Sequence, residues 1–433
     1  MEEQYTLRRV ALADIGTRRV SASDPATEAR VRAIMESVRE GGEAELARLA
    51  AELDGNAGRL WYGPDDFKAA LVSLPYAERE ALERAAGRIE GFAKAQLACL
   101  EPLSMAIPGG RAGHELVPIE RAGCYAPGGR FPLPSSVLMT ALVARSAGVS
   151  DVAVACPRPE PVILAACALA DAGLFLAAGG AQAIAAFAYG AGPLSARDLI
   201  VGPGNRYVAA AKLQAQAAVR TDAPAGPSEL LILSDGSANP RTLAWDLLAQ
   251  AEHDPDALAC LACADEAQIR AVEAALASAL KELRALSTAS ADNAESALSK
   301  SWAYACDQGG AASSVEEALA EAANRFAPEH LELALAEPEG VRRLIRHAGA
   351  LFIGARSAEV FGDYGAGPNH ALPTAGRSRS SGGLSVFDFL RVRSWLRMDG
   401  SDGAEGIARD TMRLADMEGL AAHAQSARAR LPA

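Results

Sequence analysis

Histidine is scarce in this chain, with six in 433 residues. Cysteine cannot supply a paired covalent framework either, because there are seven. Cys99, Cys124, Cys156, Cys167, Cys260, Cys263 and Cys306 lie mainly in apolar segments, as expected of reduced thiols in a cytoplasmic protein. Cys260 and Cys263 form a CxxC, but within Leu258-Ala-Cys-Leu-Ala-Cys263, which reads as a buried strand, and a zinc ribbon needs a second pair. Positive charge is in deficit: a net charge of −12 argues against a broad nucleic-acid or anionic-membrane surface. The opening Met-Glu-Glu-Gln lacks the basic and apolar regions of a secretory signal. Only residues 172–190 approach a membrane-length apolar run. Gly179, Gly180 and Gln182 interrupt it and Pro193 follows, which fits a buried turn between a strand and a helix. No GxGxxG follows a strand with an acid about twenty residues on, so any dinucleotide is held in a non-standard way. There is no solenoid repeat and no low-complexity tail.

What is present is an ordinary globular composition, 50% hydrophobic and 22% charged, in a chain long enough for two large domains. Residues 151–156 read as a strand, 161–170 as a helix, 174–176 as a strand and 182–189 as a helix. A strand at 199–201 runs into Gly202-Pro-Gly-Asn205, and a helix follows to about residue 220. A second series starts with a strand at 230–233 and a helix opened by Asn239-Pro240, with Leu243, Leu247 and Ala251 at helical spacing. Then come a strand at 257–264, a helix at 266–283 and a strand at 350–353. Such βαβ order implies α/β architecture with largely parallel sheets. Residues 28–53 carry an amphipathic helix pattern ending near Asp54-Gly55. The Ser-, Ala-, Asn- and Gly-rich stretch 286–312 reads as a loop-bearing surface insertion. The last fifty residues read as helical and polar, too small to fold alone, and are expected to dock elsewhere.

Four of the six histidines stand beside acids, amides, glycine and proline, the company a metal-dependent catalytic site requires. His114 and His347 have no such company and read as surface or packing residues. Gln250 and His253 are three apart at a helix end, so both project from one face and a metal can bridge them; a capped helix end with a solvated histidine fits equally. Glu329 and His330 follow Pro328, and a turn there can bring an acid and an imidazole to one cleft as an acid/base pair. Asp363 lies in Gly362-Asp-Tyr-Gly-Ala-Gly, where glycines let a ligand approach the backbone; it can complete a metal site, with His370 toward substrate, or simply form an Asx-turn. Glu418 and His423 flank Gly419, which is expected to separate two helices. Tyr125-Ala-Pro-Gly-Gly129 and Gly202-Pro-Gly-Asn205 both follow apolar runs, where backbone N–H groups can hold a pyrophosphate.

Taken in order, these segments resemble the histidinol dehydrogenase family, from about residue 31 to His423. The resemblance also rests on Tyr125-Ala-Pro-Gly-Gly-Arg130, Pro134-Ser-Ser-Val-Leu-Met139, Gly179-Gly-Ala-Gln-Ala-Ile-Ala-Ala186, Ala225-Gly-Pro-Ser-Glu229, Phe326 to Leu333 and Ser385-Val-Phe-Asp-Phe389. It implies Gln250, His253, Asp363 and His423 as ligands of one zinc ion per subunit. It implies Glu329 and His330 as the acid/base pair and Tyr125, Gln182 and Asn205 as NAD contacts. Ser228, His370 and Glu418 would contact substrate, beside Gln250, His253, His330, Asp363 and His423. It also implies a homodimer in which the C-terminal segment completes the partner's site. The expected fold is two incomplete Rossmann-like domains with small terminal segments. Residues 20–123 with 229–385 would form the larger domain, 124–228 the second, 1–19 an N-terminal segment and 386–433 the exchanged C-terminal one. The chain departs from the family pattern at Cys124, at Ala191 and in the longer 286–312 stretch.

The resemblance implies oxidation of L-histidinol to L-histidine through an aldehyde with two NAD, the last two steps of histidine biosynthesis. Two other readings carry different chemistry. A relative in the same superfamily would oxidise another polyol or a sulfonate, but His370 and Glu418 favour an imidazole-bearing amine. A zinc hydrolase would use the same ligands with Glu329 as base, and Tyr125, Gln182 and Asn205 argue against it. A noncatalytic metal scaffold gives Glu329-His330 no purpose.

Overall fold

The computed structural model describes residues 5–16, 24–128, 132–222, 226–308, 314–400 and 402–431. Expectations touching residues 1–4, 17–23, Gly129, Arg130, Ala225, 309–312 and 432–433 lie outside that set.

The fold is α/β, built on two six-stranded sheets. The first is wholly parallel and runs Arg8–Arg9, Trp302–Ala305, Leu258–Cys263, Glu229–Ser234, His330–Ala334, Ala350–Ile353. Its inner strands are buried throughout, which explains their continuous apolar character. The second runs Trp61–Tyr62, Leu174–Leu176, Asp151–Ala155, Arg121–Tyr125, Leu199–Val201, Arg220–Thr221, and only Trp61–Tyr62 is antiparallel. In each sheet the chain winds outward to one side of a central strand, then to the other. In the second sheet that reversal falls between Arg121–Tyr125 and Leu199–Val201. A third, antiparallel sheet joins Leu103–Ile107, Gly110–Pro118 and Leu390–Met398.

Cys260 and Cys263 are buried in the strand Leu258–Cys263, and the seven cysteines are free. Residues 172–190 form the strand Leu174–Leu176, a turn and the helix Gly180–Tyr189. Among the described residues no helix is long and apolar enough to cross a membrane.

Three expectations need correction. Residues 286–312 are not mainly loop. Ser287 caps the helix Thr288–Lys300, whose Ala291, Ala294, Ala297 and Leu298 are buried, and Trp302–Ala305 is a buried strand of the first sheet. The helix after Asn205 stops at Ala215, because Arg220–Thr221 is drawn into pairing with Leu199–Ile200. The last fifty residues are not all helical: Leu390–Met398 pairs along its length with Gly110–Pro118 before the helices Ala404–Met417 and Ala421–Arg428.

One glycine fixes how the second sheet meets its loops. Gly202 has φ of 117°, and a β-carbon there would lie 2.0 Å from the Tyr125 carbonyl oxygen. Only glycine permits that backbone approach. The same turn is tied by Gly202 N–H donating to Asp222 Oδ2 at 2.8 Å and by Lys212 Nζ donating to the Gly202 carbonyl at 2.9 Å. Lys212 and Asp222 form a buried ion pair beneath it.

Candidate active site

The amino-terminal edge of the first sheet and the carboxyl-terminal edge of the second border a common cleft. Ser228, His253, Glu329, His330, Asp363 and His370 line it, together with Pro127, Gly202 and Pro203. Glu329 and His330 stand where Pro328 ends a turn and the strand His330–Ala334 begins. Both are buried, as at the start of an inner strand of a parallel sheet covered on both faces.

Glu329 Oε2 accepts the Ser228 hydroxyl at 2.6 Å and the Glu229 N–H at 3.0 Å. Burial still pushes the carboxyl up to about 8, outweighing those two bonds, with Glu229 and Asp363 adding repulsion. His330 moves the other way. Burial lowers its imidazole to about 4, against the opposing pull of Asp363. Its Nδ1 lies 3.2 Å from the Glu229 carbonyl oxygen. A carbonyl only accepts, so Nδ1 carries the proton and Nε2 the lone pair. That Nε2 is buried and unpartnered among the described residues, 3.9 Å from Asp363 Oδ1.

His253 follows the helix Pro240–Glu252, which Asn239 caps through the Arg241 N–H. Its Nε2 lies 3.5 Å from Asp363 Oδ2, and that contact raises its pKa despite partial burial. For Asp363, burial raises the pKa, but His253, His330 and His370 together bring it below the usual carboxylate range. His370 Nδ1 approaches the Asp363 carbonyl at 3.0 Å, and burial lowers its pKa.

Gln250 is fully buried, and neither its Oε1 nor its Nε2 has a hydrogen-bond partner among the described residues. Leaving an amide so is costly unless something else binds it. Ligand atoms of His253, Asp363 and Glu359 all lie within 4.8 Å of one another. Glu359 escaped the sequence reading. It opens the short helix Glu359–Asp363, placing two carboxylates four residues apart on one turn, and its Oε2 is also buried and unpartnered. Burial and the surrounding acids push its carboxyl well up. The spacing Glu359-x-x-x-Asp363 was visible in the sequence, but Glu359 has no histidine or glycine beside it to mark it.

Two expected residues are not brought to this cleft within the chain. Glu418 ends the helix Ala404–Met417, and His423 lies in Ala421–Arg428, both exposed. Among the described residues no hydrogen bond or ion pair joins either to Gln250, His253 or Asp363.

The expected nucleotide residues gather in an adjoining cavity. Tyr125, Gln182 and Asn205 line it, with Asp54, Gly128, Gly179, Gly180 and Tyr207, and Pro127 belongs to both cavities. Tyr125 ends its strand, and its hydroxyl accepts the Gly180 N–H at 3.1 Å. Asn205 caps the helix Arg206–Ala215 through the Tyr207 and Val208 N–H groups. Tyr125 and Asn205 thus flank the strand reversal at the carboxyl edge of the sheet, where open α/β sheets bind ligands.

The histidinol dehydrogenase family model matches residues 17–431. The histidinol dehydrogenase of Thermus thermophilus is 43% identical over 94% of this chain and 96% of its own length. That of Nitrosomonas europaea is 40% identical over 94% and 93%. A crystal structure of histidinol dehydrogenase from Elizabethkingia anophelis superposes with a TM-score of 0.89 at 30% identity, covering 98% of each chain.

Proposed function

This chain belongs to the histidinol dehydrogenase family, and on that premise we propose that it oxidises L-histidinol to L-histidine through L-histidinaldehyde. It would do so as a zinc- and NAD-dependent cytoplasmic homodimer. The observation that carries the metal-centred reading is the set of buried, unsatisfied polar atoms around the His253–Asp363 pair. Among the described residues His330 Nε2 and Glu359 Oε2 lack hydrogen-bond partners near that pair, and so do both amide atoms of Gln250, three residues before His253.

Gln250, His253 and Asp363 would hold zinc, with His423 from a second copy as the fourth ligand. A bound zinc ion supplies a Lewis acid that orients the amine and imidazole of the substrate. Glu359 has a carboxylate oxygen within 4.8 Å of the ligand atoms of His253 and Asp363, close enough to join the set once a cation offsets the repulsion of the surrounding acids. Ser228 and His370 line the substrate cleft, and Glu418 of the second copy would complete it. NAD bound through Tyr125, Gln182 and Asn205 supplies the hydride acceptor for both oxidations.

His330 then takes the alcohol proton on Nε2, which is free to accept it because Nδ1 is committed to the Glu229 carbonyl. Glu329 activates water to hydrate the aldehyde, and His330 takes a proton again in the second oxidation. Holding the aldehyde in the cleft keeps it from amines and bulk water. The expected division of 20–123 with 229–385 from 124–228 does not follow the sheets: its boundary falls inside Arg121–Tyr125, the central strand of the second sheet, to which Trp61–Tyr62 also belongs. The helices Pro25–Leu53, Pro64–Ser73 and Tyr76–Ala98 pack in the same cores, so we propose that they form one domain with residues 124–222, and that the first sheet forms the other. NADH formation on addition of L-histidinol tests the reading.

A further inference from the structure

The nucleotide cavity contains a carboxylate with no role so far. Asp54 ends the helix Pro25–Leu53 and lines the cavity beside Tyr125 and Gln182. Its Oδ2 accepts two hydrogen bonds, from the Gly179 N–H at 2.9 Å and from Gln182 Nε2 at 3.0 Å. Gly179, the residue that precedes the helix Gly180–Tyr189, has no side chain with which to cap it. The Asp54 carboxylate and the Tyr125 hydroxyl cap it from elsewhere in the chain.

That arrangement has an electrostatic consequence. Helix N-termini after parallel strands are the usual seat of a dinucleotide's phosphates. Here a fixed anion occupies the position, so a phosphate brought to it meets repulsion, and a neutral donor is favoured. Asp54 Oδ1 accepts no hydrogen bond among the described residues, which leaves it available to such a donor. The cavity joins the catalytic cleft at Pro127, with Pro203 lining the cleft and Asn205 the cavity. On the NAD reading above, a nicotinamide beside His330 leaves the adenosine half in the Asp54 cavity. Among the described residues Arg30 is the cation lining that cavity, with its guanidinium 5.7 Å above the Tyr207 ring.

We propose that Asp54 is a specificity-determining residue: its Oδ1 accepts the 2′-hydroxyl of the adenosine ribose, and its charge excludes the 2′-phosphorylated dinucleotide. Its Oδ2 meanwhile fixes the Gln182 amide, with Nε2 turned to the carboxylate and Oε1 lying over Gly180.

The test is initial rates with saturating L-histidinol and varied NAD, NADP or 2′-deoxy-NAD, together with the dissociation constant of each dinucleotide measured by calorimetry without histidinol, for the wild type and for Asp54→Asn. For the wild type, 2′-deoxy-NAD should raise KM roughly tenfold, the loss expected for a hydrogen bond to a charged group, and NADP should be poorer still. Asp54→Asn should raise KM for NAD by a similar factor, with the loss in KM and little in kcat. It should also narrow the NAD-to-NADP ratio of kcat/KM about tenfold or more, since Arg30 then faces the phosphate unopposed. Adding Arg30→Ala should remove that gain with NADP. A wild type that uses NADP or 2′-deoxy-NAD as well as NAD overturns the proposal, even where the variants fail to fold. So does an Asp54→Asn enzyme with an unaltered NAD-to-NADP ratio, or one whose loss lies wholly in kcat. A wild type that reduces neither dinucleotide instead overturns the NAD reading beneath it.

Discussion

Ser228 donates its hydroxyl hydrogen to Oε2 of Glu329 at 2.6 Å, and each residue stands one position before its strand in an adjacent, parallel pair. The sheet therefore fixes the carboxylate against a donor on a rigid neighbour, while His330 turns Nε2 toward the cleft. The acid and the imidazole are separated in role by their surroundings: burial holds one protonated and the other neutral near pH 7.

A division of labour follows. His330→Asn should slow both oxidations, because each needs a base. Glu329→Gln should spare the alcohol step and strike aldehyde oxidation, because only that half consumes water. Losses of roughly 10²–10⁴-fold are expected for a general base. Supplying L-histidinaldehyde as a separate substrate resolves the halves, and equal losses in both for Glu329→Gln would count against this division.

The same carboxyl should set a pH limb. Water activation requires the carboxylate, so aldehyde oxidation should rise with pH and level off above the Glu329 value of about 8. His330, lowered to about 4, is already neutral and adds no limb in that range. Ser228→Ala removes a bond that favours the ionised form, so the limb should move to higher pH. A pH–rate profile of the aldehyde step in wild type, Ser228→Ala and Glu329→Gln checks this. A flat wild-type profile from about pH 6 to 9 would contradict it.

Stability offers a check independent of catalysis. Asp222→Ala strands the Lys212 ammonium in the interior and frees the Gly202 turn. Breaking a buried pair by removing one partner costs about 3–5 kcal/mol, which urea unfolding would register. A change below about 1 kcal/mol would mean the pair is not buried as described.

Much of this architecture was legible because its signals are local. The strands at 151–155, 199–201 and 229–234 are apolar runs bounded by glycine, proline or asparagine, and Asn239-Pro240 caps its helix as its residue types require. What escaped depends on distant partners or weak contrast. The helix Thr288–Lys300 buries mostly alanine, which scarcely distinguishes it from a polar loop. Leu390–Met398 alternates around exposed arginines and becomes a strand only through Gly110–Pro118, far away in sequence. Asp54 read as a helix terminus, since nothing beside it announces that Gly179 and Gln182 will meet its carboxylate. The histidine motifs were legible as chemistry, but Glu359, without a neighbouring histidine, was not.

Sharing of the site between chains can be measured directly. Glu418 and His423 are exposed, and among the described residues neither makes a hydrogen bond or ion pair with the proposed ligands, the arrangement the shared-site proposal requires. Homodimers of His423→Ala or His253→Ala should each be inactive, since both sites lack a ligand. Mixing them should restore one intact site per heterodimer, about a quarter of full activity after statistical exchange. No recovery after verified exchange would return the tail to its own chain.

The central claim is that a metal-organised cleft oxidises L-histidinol with NAD, and stoichiometric NADH formation tests it most directly. The enzyme should form two NADH per L-histidine. Metal removal by a chelator should abolish this and weaken histidinol binding far more than NAD binding, and added zinc should restore it. Full NADH formation by enzyme shown metal-free by elemental analysis would contradict the account.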